Sequence, residues 1–101
     1  KFFLLPYCKE PAMQRFASSI LTPLRDYDSE NHTMLLKTAE SFIQHNGNIS
    51  QTASALNQHA NTIRYRLNQI SNLIHCSILS PEGYEQVSIA LKIEACCCVE
   101  L

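Results

Sequence analysis

Four apolar residues, Ile63, Leu67, Ile70 and Ile74, follow one another at steps of four, three and four, a spacing that falls on one side of an α-helix and on no single side of a strand. Just before them Asn57, Gln58 and His59 interrupt the pattern, and before those a shorter apolar stretch holds Ala53 and Leu56. Asn48 or Ser50 stands where a cap is needed for its first turn. Residues 48–75 therefore read as a short helix, a tight break and a longer helix. Such a helix-turn-helix needs a small residue in its first helix so that the second can cross close against it, a turn of three or four residues, and a second helix with one apolar and one polar side. Ala53 and Ala55 supply the small residues.

The remainder of the chain is helical by the same test. Met13, Phe16, Ala17, Ile20, Leu21 and Leu24 recur at helical spacing, predicting a helix over residues 10–24 with Pro11 in its first turn and Pro23 ending it. Residues 26–32, rich in Asp, Ser, Asn and His, read as a connecting loop. Leu35, Leu36, Ala39, Phe42 and Ile43 mark a second helix, stopped by Asn46 and Gly47. Ser80, Pro81 and Glu82 combine a cap, a first-turn proline and an acid at the positive dipole end, opening a last helix over residues 80–99. Its apolar residues Val87, Ile89, Ala90, Leu91, Ile93 and Ala95 cover more than one face, which suggests burial on two sides, one of them against a partner subunit. With 2 Gly and 4 Pro in 101 residues, little turn chemistry is left for a many-stranded protein. The expectation is an all-α, five-helix single domain over residues 1–101.

The opening Lys1-Phe2-Phe3-Leu4-Leu5-Pro6 is too short an apolar run for a secretory signal or a membrane span. Residues 1–9 read as the end of an upstream region, and the chain as the C-terminal fragment of a longer protein. Cys8, Cys76, Cys96, Cys97 and Cys98 contain no C-x-x-C pair. Three consecutive thiols on a helix point about 100° apart and cannot converge on one tetrahedral metal. The cysteines read first as reduced, small apolar side chains in a cytoplasmic protein, with a redox or metal role as the lesser alternative. His32, His45, His59 and His75 lack ligand spacing, so no metal and no cofactor is expected, and no nucleophile–base pair or phosphate loop suggests an enzyme.

The formal charge of −1 is not that of a strong nucleic-acid binder, but its distribution is uneven. Between residues 33 and 74 Lys37, Arg64 and Arg66 stand against Glu40 alone, a local +2, while the rest of the chain sums to −3. On the longer helix, 100° per residue places Asn61, Tyr65, Asn68 and Asn72 outward with Thr62, Arg64 and Gln69 on the flanks. Asn and Gln match adenine edges, Arg matches guanine or phosphate, and Thr or Tyr can meet phosphate or a thymine methyl. A plain helical bundle or a partner-binding module would also show such an amide-rich side, and His59 suits a cap or turn as well as a phosphate contact.

The run from Gly47-Asn48-Ile49-Ser50-Gln51-Thr52-Ala53-Ser54-Ala55-Leu56 to His59-Ala60-Asn61-Thr62-Ile63-Arg64-Tyr65-Arg66-Leu67-Asn68-Gln69-Ile70 resembles the C-terminal helix-turn-helix of the PucR/CdaR family, bacterial regulators of purine catabolism and sugar diacid use. The family pattern N-(V/L)-S-x-T-A-x-A-L followed by H-R-N-T-(V/L)-R-Y-R-L-x-x-I is matched almost throughout. The likeness extends upstream through Phe16 to Leu24, Tyr27, Asp28 and Leu35-Leu36-Lys37-Thr38, and downstream to Ile89-Ala90-Leu91. The resemblance implies Fis-like docking of the second helix on double-stranded DNA, a homodimer, and a sensory region upstream that would be the sole receiver of any small-molecule effector. It implies a DNA-binding set of Ser50, Gln51, Thr52, His59, Ala60, Asn61, Thr62, Arg64, Tyr65, Arg66, Asn68 and Gln69. Ala60 departs from the pattern, standing where the family usually carries Arg, and removes a phosphate or guanine contact of about 1–3 kcal/mol. That departure and the weak basic charge keep a second expectation open, a dimerisation or protein-interaction module that has lost DNA binding.

Overall fold

The computed structural model describes the backbone of residues 10–99 and side chains through Ala95. The readings of residues 1–9 and of the Cys96, Cys97 and Cys98 side chains lie outside the described residues. Five helices and no strand occur among them: α1 (Pro11–Asn31), α2 (Leu35–Gln44), α3 (Ile49–Leu56), α4 (Ala60–Ile74) and α5 (Pro81–Val99). The all-α, five-helix expectation is met.

The first helix corrects the sequence reading. It does not stop at Pro23 but runs through it to Asn31, so residues 26–31 are helix rather than loop. An interior proline costs about 3 kcal/mol. What continues the helix is its apolar side: Leu24 is fully buried and Tyr27 packs on the core, so the turn after the proline extends the stripe of Ala17, Ile20 and Leu21. The stop comes at His32, in the left-handed conformation, whose N–H reaches the Asp28 carbonyl.

Asp28 then starts the next helix. Its carboxylate accepts the N–H groups of Leu35 (2.7 Å) and Leu36 (3.0 Å) and the Thr33 hydroxyl. The local cap residue, Met34, offers no side-chain oxygen, so the end of α1 satisfies the exposed amides of α2. At the other end of α2, Asn46 and Gly47 both take positive φ, as the predicted stop requires, and Asn48 rather than Ser50 caps α3 by accepting the Gln51 N–H at 2.8 Å.

Helix α5 begins as expected, with the Ser80 hydroxyl accepting the Gly83 N–H at 3.1 Å. Gly83 is there for space: a Cβ on it would lie 1.9 Å from the Ser77 carbonyl oxygen. Within the chain α5 buries a single side, Val87, Ala90 and Ile93, mainly against α1 and also against α2. Leu91 on another side lines an open groove with Ile43 of α2. Cys76 is half-buried against the core, as a small apolar residue would be.

Candidate nucleic-acid interface

Helices α3 and α4 meet through a three-residue turn. Asn57 takes φ 55°, and the N–H groups of Asn57 and Gln58 return to the last turn of α3, Gln58 to Ala53 at 2.9 Å. His59 precedes α4 with extended backbone and accepts the Ile63 N–H through its carbonyl, while its exposed side chain makes no cap bond. Ala53 is buried beneath the crossing, but Ala55 is exposed, so only one of the two expected small residues allows the close approach.

Ile63, Leu67, Ile70 and Ile74 are all buried, the first three almost completely. At about 1.5–3 kcal/mol for each side chain removed from water, this stripe fixes the rotation of α4 about its axis. The opposite side is open: Asn61, Arg64, Tyr65, Asn68 and Asn72 are exposed, Tyr65 at 64%. Ser50, Gln51 and His59 are also exposed, and Ala60, Thr62, Arg66 and Gln69 are half-buried on the flanks. Thr52 is corrected. It is fully buried, and its hydroxyl donates to the Asn48 carbonyl at 2.8 Å.

Several of these side chains hold one another. Arg64 donates to the Asn61 side-chain oxygen at 2.9 Å, leaving its other N–H groups outward. The Gln69 amide nitrogen donates to the Tyr27 hydroxyl (2.9 Å) and to the Tyr65 hydroxyl (3.2 Å). Both its hydrogens are then used, and Gln69 presents an acceptor rather than the paired donor and acceptor that an adenine edge needs. Arg66 donates to the Thr38 hydroxyl of α2 at 3.2 Å. Tyr27 had no sequence signal for this role, because it lies 42 residues from Gln69 and on a segment that read as loop.

Electrostatically the surface is simple: residues 41–81 contain no Asp or Glu, so the α3–α4 unit presents Arg64, Arg66 and oriented amides without an opposing carboxylate. Among the described residues no group of His, Cys, Asp and Glu could hold a metal, and no helix is long and apolar enough to cross a membrane.

The family model of the PucR C-terminal helix-turn-helix domain matches residues 35–93. Among curated proteins, the chain is 36% identical over 73 residues to the DNA-binding transcriptional activator AdeR of Bacillus subtilis (strain 168), covering 72% of this chain and 17% of that protein. It is 30% identical over 82 residues to the purine catabolism regulatory protein of the same organism, covering 81% and 15%. An uncharacterized protein in the pkwA 5′ region of Thermomonospora curvata is 32% identical over 76 residues, covering 75% and 42%. The chain thus spans less than half the length of each. No solved structure matches it significantly.

Proposed function

The chain belongs to the PucR C-terminal helix-turn-helix domain family, and from that premise we propose that it is the DNA-binding part of a bacterial transcription regulator, recognising a defined duplex sequence as a homodimer in the cytoplasm. The observation that carries this reading is the open polar side of α4, held from behind by Ile63, Leu67 and Ile70 and lying in a stretch without acid. Inserted in a major groove, Asn61 and Asn68 would meet base edges, Arg64 a guanine or a phosphate, and Tyr65 a phosphate or a thymine methyl. Ser50, Gln51 and His59, exposed at the start of α3 and in the turn, would meet the backbone. Effector sensing and the pathway served belong to parts of a longer protein, since the two regulators it resembles are about six times longer than the matched region. The family and its named relatives are regulators, and no enzymatic role is proposed.

The test is binding to DNA upstream of the gene over a salt series. A few phosphate contacts per subunit give a straight negative slope of log affinity against log salt, by about 0.9 for each contact on duplex DNA. Absence of retention even at low salt would overturn the reading in favour of an interaction module, the alternative that Ala60 and the net charge of −1 favour.

A further inference from the structure

Beside the flank of α4 lies a cleft of about 190 Å³ in which three elements converge: Met34 just before α2 with Lys37 and Thr38 in it, Leu56 and Gln58 at the end of α3 and in the turn, and Arg66 of α4. Its charged residues are two cations. Arg66 is held in place, because the Thr38 hydroxyl gives its own hydrogen to the Met34 carbonyl at 2.7 Å and so is left to accept from the guanidinium. One guanidinium nitrogen is used in this way, and the others have no partner among the described residues. The Lys37 ammonium and the Gln58 amide are likewise unpartnered. No carboxylate lines the cleft: Asp28 accepts from Thr33, Leu35 and Leu36 at the start of α2, and Glu40 lines the groove between α2 and α5.

Two cations and an amide around one concavity, with no acid among its lining residues, suit an anion, and the walls say which anion. Met34, 49% exposed, and Leu56 give the cleft an apolar side, which sugar carbons can cover and a free inorganic ion cannot. We infer that Lys37, with Arg66 and Gln58, grips a phosphodiester of the duplex backbone beside the groove that α4 enters. This rests on the proposed DNA binding and adds to it a contact from outside the helix-turn-helix. It also offsets the missing cation at Ala60, since a backbone clamp from α2 supplies positive charge near the turn that Ala60 follows. Because phosphates carry no base identity, the clamp contributes affinity and register rather than sequence choice.

The experiment compares the unaltered chain, Lys37→Gln and, as a control, Arg15→Gln on the exposed side of α1, on the upstream duplex and on a scrambled duplex over a salt series. Lys37 is exposed and unpaired, so the variant should fold with unchanged helicity and melting. The expected result is a salt slope shallower by about 0.9 per bound subunit, with affinity for both duplexes reduced by the same factor and Arg15→Gln behaving as the parent. If the parent binds and Lys37→Gln leaves the slope unchanged, the clamp is overturned while the DNA reading stands. If the parent itself fails to bind, both fall. Titration with inorganic phosphate forms a separate arm: saturable binding lost in Lys37→Gln, without any change in the DNA slope, would assign the cleft to a free anion and overturn the inference.

Discussion

Arg64 leaves α4 on its open side, and the only bond it makes among the described residues is to the Asn61 oxygen one turn back. Removing it should therefore separate recognition from folding. Arg64→Ala is expected to weaken binding to the matched duplex by about 1–3 kcal/mol if the guanidinium reads a guanine, with stability within about 0.5 kcal/mol of the parent. Fluorescence anisotropy on matched and mismatched duplexes, beside a thermal melt, checks both halves. Gly83 is the opposite case, a residue with no part in the interface and a strict steric role. A methyl there would stand 1.9 Å from the Ser77 carbonyl oxygen, and backbone cannot yield as a side-chain tip can. Gly83→Ala should cost at least about 1–3 kcal/mol, read as a lower melting temperature. At this scale the outward set on α4 was legible in the sequence because one periodicity decides it. Thr52 was not: a hydroxyl that bonds the carbonyl four residues back satisfies itself inside the helix, so polarity did not report position. Nor was Gln69's engagement with Tyr27, which depends on how two distant helices are laid side by side.

Among the elements, the end of α2 and the starts of α3 and α5 follow local signals. Asn48 caps α3, Asn46 and Gly47 turn the chain after α2, and Ser80 and Pro81 open α5, each acting within four residues of its own position. Helix α1 does not, because its length past Pro23 depends on Leu24 and Tyr27 finding the core, a tertiary gain that outweighs a local penalty. The junction between α1 and α2 is tertiary in the same sense. Asp28 closes the start of α2 from seven and eight residues away, combining a hydrogen-bonded cap with a negative charge at the positive end of a helix. Asp28→Asn keeps the shape but removes the charge and turns one of the two accepting oxygens into an NH2 donor that faces another donor, and should cost at least about 1 kcal/mol. Urea unfolding would register this as a lower midpoint with an unchanged slope, and an unmoved midpoint would mean that the Asp28 cap contributes nothing. Since α2 also carries Lys37 and Thr38, loosening its first turn should weaken DNA binding as well.

Taken as one body, the described residues measure 39 × 26 × 26 Å. Helix α1 lies along α5 and is tied to α4 through Tyr27 and Gln69, so the open side of α4 is braced from behind as well as from α2. With its 39 Å axis turned away from the line between two copies, a domain 26 Å across on its shorter axes fits beside its own copy when two α4 helices enter successive major grooves some 34 Å apart on one side of a duplex. This gives the homodimer proposal a geometric consequence that does not depend on which faces touch. Two half-sites centred about 10–10.5 base pairs apart should bind two chains with the second assisting the first. Inserting about half a helical turn rotates the second half-site to the far side of the DNA, where a rigid pair cannot reach both. Cooperative occupancy should then disappear, and restoring a whole turn should recover at least part of it. Gel-shift titrations on three such duplexes measure this directly. Equal occupancy curves on all three would show that the chains bind independently, and would remove the dimer from the reading while leaving the surface of α4 in place.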